Sequence, residues 1–237
     1  MRLNVAFGQA VLRVTFSLQA PPSSTLNPFV DCMTTSSGAS VGVGGHDLGS
    51  GWKDLALSID QLIGLFGRWA LGITLITWLP YLLVNGLPGW PDWEGWGEAV
   101  SSILMWTAIG LFVYAVSALI HEVLHVAAML LIARIPIGSL RFGARLSEGV
   151  LFVHTDQPMS ARSYRVILIA PAVVQGMAPV VIGTMAGLGW LVLYGYVMLL
   201  SSIGDLAVFQ LIRHLRGANI VRDHPSKVGC QVWIAEK

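Results

Sequence analysis

The sequence has little charge and almost no cysteine. Only 11% of its 237 residues are charged, against about 25% in an ordinary soluble domain. The 14 Lys and Arg residues nearly balance the 13 Asp and Glu residues, which excludes a basic nucleic-acid-binding protein and an acidic disordered tail. Cys32 and Cys230 are too few for a disulfide framework, and neither has another cysteine nearby at metal-binding spacing.

Apolar residues are abundant and lie in long uncharged runs. Hydrophobic residues make up 54% of the chain, and the mean hydropathy is +0.68. A membrane-spanning helix needs about 20 consecutive apolar residues. We therefore predict an all-α membrane protein, in contact with membrane lipid, with about four transmembrane helices. They are expected near residues 62–84, 99–120, 166–186 and 190–212.

The remaining segments differ in composition from these runs. Residues 1–60 are rich in Ser, Thr and Gly and predict a flexible N-terminal lead. Segment 61–98 holds the first span and an outer loop, 99–212 forms a membrane core, and 213–237 is a cytoplasmic tail. Within the core, segment 134–165 is too polar to span a membrane. Its loose alternation around 138–154 predicts a small β-hairpin between spans two and three.

The positions of the basic residues predict how the spans are oriented. In the four-span arrangement all 14 Lys and Arg residues fall on one side of the membrane. The 85–98 loop, on the other side, carries three acidic residues and no basic one. Because cytoplasmic loops carry the excess of Lys and Arg, we expect both termini in the cytoplasm.

Chemistry is indicated by His121-Glu122-Val123-Leu124-His125, an H-E-x-x-H motif at the end of the second run. Residues i and i+4 of a helix share a face, so both imidazoles can bind one zinc ion, while Glu122 can act as general base on a zinc-bound water. The alternative is two neutral, hydrogen-bonded histidines beside a protonated Glu122. We favour the metal site, because three ionisable groups are costly in a membrane helix.

A catalytic zinc ion usually has a third protein ligand, and Asp205 is the best candidate. His125 lies nine residues before Arg134, and Asp205 lies eight residues before Arg213. At 1.5 Å per residue, both lie about 12–13 Å from the cytoplasmic edge. The alternative is a structural carboxylate bonded to a neighbouring helix.

Four other residues are rival third ligands, although each is explained more simply as a solvated or interfacial group. His154 is the one to test first, because a hairpin can fold back over the site. The rivals are His154, Asp156, His214 and His224.

With these motifs the chain resembles the site-2-protease-like membrane zincins, and among them the putative zincin peptidase family of small bacterial and archaeal membrane proteins. The resemblance covers about residues 99–232. It is carried by His121 to His125 and by segments 164–171, 201–206 and 221–225 with Gly229.

The resemblance implies a zinc peptidase of the prokaryotic plasma membrane, with zinc held by His121, His125 and Asp205. One departure concerns substrate handling. Typical site-2 proteases have Asn-Pro upstream of the ligand, where this chain has Ser201-Ser202. The Asn that helps to hold substrate in those enzymes therefore has no counterpart here.

We expect the protein to hydrolyse peptide bonds in or near the membrane, in a membrane-anchored or membrane-proximal polypeptide, and not to bind nucleic acid. Glu122 would take a proton from water and pass it to the leaving amine. A second hypothesis is a metal-binding transporter or sensor that uses the same ligands. A third is a purely structural four-helix membrane protein without stoichiometric zinc.

Overall fold

The structure, a computed structural model, describes residues 2–7, 10–15, 51–89, 92–145, 150–224 and 227–233. The helices within these residues are α1 (Ile59–Asn85), α2 (Trp96–Leu131), α3 (Ala161–Pro171), α4 (Ala178–Ala186), α5 (Gly189–Ser201) and α6 (Ile203–Ile212). A π-helical segment, Ala172–Met177, joins α3 to α4. The strands are β1 (Arg2–Phe7), β2 (Ala10–Thr15), β3 (Trp52–Leu57), β4 (Leu140–Arg145), β5 (Val150–Thr155), β6 (Met159–Ser160), β7 (Ile220–Asp223) and β8 (Val228–Trp233).

The four predicted apolar runs are all helical. Over the described ranges, three helical stretches are long and apolar enough to cross a membrane: Asp60–Asn85, Trp96–Leu131 and Ala161–Ala186. Helices α5 and α6 make a fourth if the bent pair counts as one span. Helix α1 begins three residues before the predicted span, because Ser58 and Gln61 form a reciprocal cap at its N-terminus.

The fourth run differs from the straight span predicted at 190–212. Helices α5 and α6 meet at Ser202 with a bend of 51°. The Ser202 hydroxyl donates a hydrogen bond to the Met198 carbonyl, 2.9 Å away, and such back-bonding often bends helices. As a result, Asp205 lies in the first turn of a short separate helix.

Two four-stranded sheets lie in the described part of the chain, with strand orders β1-β2-β4-β5 and β3-β8-β7-β6. The predicted hairpin between spans two and three is confirmed as β4 and β5, which pair antiparallel from Leu140↔Thr155 to Arg145↔Val150. Strand β5 is therefore at an edge of its sheet.

Part of the N-terminal lead, predicted as a flexible segment over residues 1–60, is strand in the structure. Residues 16–50 lie outside the described residues, but β3 pairs along its whole length with β8 of the tail. Asp54 of β3 is buried and accepts a hydrogen bond from Gln231 at 2.8 Å. This pairing joins segments about 170 residues apart, and local composition contains no signal for such a contact.

Glycines allow α5 to pack closely against the π-helical segment. A Cβ atom on Gly195 would lie 2.5 Å from the Gly176 carbonyl oxygen and 2.8 Å from a methyl group of Val180. Small residues at helix contacts let backbones approach in this way.

We expect Gly195→Ala to lower the free energy of unfolding by about 1–3 kcal/mol, because the added methyl group forces two backbones apart. Gly110→Ala is the matched control, since no atom beyond the nearby backbone of α2 lies within 4 Å of the Cβ position of Gly110. This change should raise the free energy of unfolding by up to about 1 kcal/mol. Unfolding of the purified variants in detergent measures both changes. Equal stability of Gly195→Ala and wild type would contradict the close packing.

Candidate metal centre

The two histidines of the motif lie on the buried face of α2. Ser117, His121, His125 and Ala128 are all buried there, at the spacing of one helix face. The imidazole rings of His121 and His125 have their centroids 4.9 Å apart. Helix α2 therefore presents both rings to the interior of the bundle, and not to its surroundings.

Asp205 completes a cluster with these two histidines. Its Oδ2 atom lies 3.0 Å from His121 Nε2 and 3.3 Å from His125 Nε2. One ligand atom from each of the three residues lies within 4.8 Å of the other two. Ligands held about 2.0–2.1 Å from a tetrahedral zinc ion are about 3.3 Å apart. The donor set and its spacing therefore fit a zinc ion.

Local structure explains how Asp205 reaches the histidines. The bend at Ser202 starts a new helix, and Asp205 stands in its first turn. The free N–H groups at a helix N-terminus favour a carboxylate there. The break thus directs this residue into the site.

A backbone carbonyl orients the ring of His125. Nδ1 of His125 lies 3.0 Å from the carbonyl oxygen of Ile167 in α3. Because a carbonyl can only accept a hydrogen bond, Nδ1 must carry the proton. In the neutral ring Nε2 then has a free lone pair, and Nε2 is the atom that faces Asp205.

Glu122 stands beside the cluster and is not one of its three members. Its carboxylate has the backbone N–H of Val153, in β5, as a hydrogen-bonding partner. Thr155 lies two residues after Val153 on the same edge of β5. Its N–H donates a hydrogen bond to Asp223 Oδ2 at 3.1 Å. The outer edge of β5 therefore runs past the proposed base, and two of its N–H groups bond to carboxylates.

The rival third ligands lie elsewhere. His154 Nε2 pairs with Asp156 Oδ1 at 2.8 Å, and His154 Nδ1 lies 3.8 Å from Asp223 Oδ2. Burial raises the pKa of Asp223, while hydrogen bonds from Tyr164 and Thr155 oppose this rise. In the portion of the chain that the structure describes, neither His154 nor Asp156 joins the three-residue cluster.

The histidines of the tail are also separate from the cluster. His214 is exposed and accepts a hydrogen bond from Arg213 Nε at 2.8 Å. His224 pairs with Asp54 and accepts a hydrogen bond from the Lys227 N–H at 2.9 Å. That contact joins the residue after β7 to the residue before β8.

Two groups of the site were not identified from the sequence: the Ile167 carbonyl and the Val153 N–H. Both belong to the backbone, so neither residue type signals its role. The hairpin was expected near the site, but the strand residue that meets Glu122 depends on the register of β4 and β5.

Comparison with known proteins gives one match. The sequence model of a family described as "Putative zincin peptidase" matches residues 114–217, which confirms the resemblance to the putative zincin peptidase family. The matched segment contains His121, Glu122, His125 and Asp205. No curated protein and no solved structure matches the chain.

Proposed function

Since residues 114–217 match the putative zincin peptidases, we propose that the protein is a zinc-dependent peptidase of the site-2-protease-like type, embedded in a membrane. Its metal ligands are His121, His125 and Asp205, and its general base is Glu122. The observation that carries this proposal is the convergence of two imidazole nitrogens on one oxygen of Asp205.

The arrangement at His125 calls for a cation. Its Nδ1 proton is held by the Ile167 carbonyl, so the lone pair of Nε2 faces a carboxylate oxygen 3.3 Å away. Two acceptors at that distance repel each other unless a positive charge lies between them. A divalent ion removes this repulsion, whereas without a metal the contact needs an extra proton, on His125 or on Asp205, in a buried site.

The residues then have separate tasks in peptide hydrolysis. When bound, zinc supplies a Lewis acid that makes water more acidic and polarises the scissile carbonyl. Glu122 accepts the proton of the attacking water and delivers it to the leaving amine. The Ile167 carbonyl keeps the His125 ring in its binding orientation.

The helices support placement in a membrane. Helix α2 has 36 residues, or about 54 Å at 1.5 Å per residue, so it can cross a hydrocarbon core of about 30 Å and extend beyond it. Large apolar side chains on α1 and α2 are exposed, as expected for lipid contact. They include Leu71, Leu83, Leu104, Leu111 and Phe112.

The distribution of basic residues supports cytoplasmic termini by the positive-inside rule, and the resemblance implies a prokaryotic plasma membrane. A cysteine introduced at Glu94, in the acidic loop before α2, should therefore react with a membrane-impermeant maleimide in intact cells. Lys53→Cys, in β3, should react only after the membrane is opened. Labelling of Lys53→Cys in intact cells, or protection of Glu94→Cys, would contradict this topology.

The outer edge of β5 suggests how a substrate is held. A helical peptide bond is shielded by its own hydrogen bonds, so a membrane-anchored polypeptide must unwind before cleavage. An extended segment can add to an exposed strand edge through main-chain hydrogen bonds. The outer edge of β5 passes Glu122, and its Val153 and Thr155 N–H groups already bond to Glu122 and Asp223. A segment added there would bond to the remaining main-chain groups and lie beside the base and the metal ligands.

The proposal is tested with the full chain purified in detergent and a membrane-anchored reporter polypeptide. We expect about one zinc ion per chain, cleavage of the reporter, and loss of cleavage on chelation that is reversed by added zinc. Stoichiometric zinc without cleavage would instead favour the metal transporter or sensor. Absence of zinc would favour the purely structural protein.

A further inference from the structure

Helix α3 has a proline at its C-terminal end, where the chain continues as helix. Pro171 is the last residue of α3, and the π-helical segment follows it directly. In a regular α-helix the N–H of residue 171 would bond to the carbonyl of Ile167, four residues earlier. Proline has no N–H, and its ring crowds that carbonyl. The Ile167 carbonyl therefore does not accept this hydrogen bond from its own helix.

This carbonyl is the group that orients His125. Ile167 is 1% exposed, and a buried carbonyl needs a hydrogen-bond partner. His125 Nδ1 provides it at 3.0 Å. The carbonyl that lacks its donor in α3 is therefore the same group that orients the ligand in α2.

The π-helical segment after Pro171 makes a second contact with α2. Gln175 is buried, and its Nε2 donates to the Ser117 carbonyl at 3.0 Å. Ser117 lies one turn before His121, and His125 lies one turn after it. The chain on either side of Pro171 thus holds α2 both before and after His121.

We propose that Pro171 is a positioning residue of the metal centre, which frees the Ile167 carbonyl to fix the ring of His125. The inference rests on the proposed function, because it assumes that His125 binds the metal. An alanine at position 171 would restore the N–H, draw the Ile167 carbonyl back into its own helix and leave the His125 ring without its partner.

Pro80 provides a matched control. It also lies inside a helix, α1, and its replacement restores one backbone N–H in the same way. The residue whose carbonyl it frees, Ile76, is exposed, with 66% of its surface accessible. Pro80→Ala therefore reproduces the covalent change without touching a metal ligand.

The test compares zinc affinity and stability in the purified full chain. For Pro171→Ala we expect the zinc dissociation constant to rise about 10- to 100-fold, as is typical when a partner of a metal ligand is lost. The Co²⁺ absorption spectrum should change with it. The melting temperature without metal should be unchanged or higher, because proline is unfavourable inside a helix. Pro171→Ser, which restores the same N–H without adding bulk at this fully buried position, should behave alike.

Pro80→Ala should keep wild-type zinc affinity and the wild-type Co²⁺ spectrum. Wild-type zinc affinity in Pro171→Ala would overturn the inference, as would an affinity loss that merely follows a lowered melting temperature. These results can be told apart from failure of the proposed function. If wild type itself binds no zinc, the metal centre fails; if wild type and Pro171→Ala bind equally well, only the role of Pro171 fails.

Discussion

Glu122→Gln is expected to stop peptide hydrolysis while leaving the metal in place. Glutamine keeps the size of the side chain but cannot accept a proton, and general acid–base catalysis contributes about 10²- to 10⁴-fold to such reactions. Glu122 is outside the cluster of three ligand atoms, so zinc binding should not depend on it. Initial rates of reporter cleavage and zinc content per chain measure the two effects separately.

The matched control is Glu98→Gln, a change of the same type near the start of the same helix. The Glu98 carboxylate accepts a hydrogen bond from the Glu94 N–H, far along α2 from the motif, and its loss should leave cleavage unchanged. Wild-type cleavage by Glu122→Gln would rule out its role as base. If Glu122→Gln lost zinc as well, Glu122 would have to be regarded as a ligand.

Asp205→Ala is expected to empty the metal centre. It removes the oxygen on which both imidazole nitrogens converge and leaves two neutral ligands for a divalent ion. Changes of groups that only support a ligand cost about 10- to 100-fold in affinity, so loss of a ligand should cost more than about 100-fold. Zinc content after purification and competition with a chelator measure the loss, and cleavage should disappear with it.

Asp156→Ala is the control for this change. Asp156 also pairs with a histidine, His154, at 2.8 Å, but lies outside the cluster. Its removal should leave zinc content at the wild-type level. Retention of zinc by Asp205→Ala would favour the structural reading of this carboxylate. Loss of zinc in Asp156→Ala instead would move the site to the hairpin.

The parts of the fold that follow from local pattern could be predicted. Apolar runs indicated the helices, and polar alternation indicated the hairpin of β4 and β5. The meeting of Asp205 with His121 and His125 also followed from counting residues to the basic boundaries. The bend at Ser202 does not spoil this prediction, because Asp205 lies only three residues after the bend and is not displaced far by it.

Features that depend on distant partners could not be predicted. The pairing of β3 with β8 joins segments far apart in the chain, and the alternation in β3 is too short to identify a strand. The bend at Ser202 depends on a serine hydroxyl, which is common in straight helices as well. The Ile167 carbonyl has no side-chain signature, although a proline four residues later is a signal that could have been used.

The most direct test of the metal centre is X-ray absorption and anomalous diffraction at the zinc edge, on the full chain purified without added metal. One zinc ion per chain is predicted, with Nε2 of His121 and of His125 at about 2.0–2.1 Å and an oxygen of Asp205 at about 2.0–2.2 Å. The account would be contradicted by the absence of zinc, or by a zinc ion bound at His154 or His224 with Asp205 beyond bonding distance.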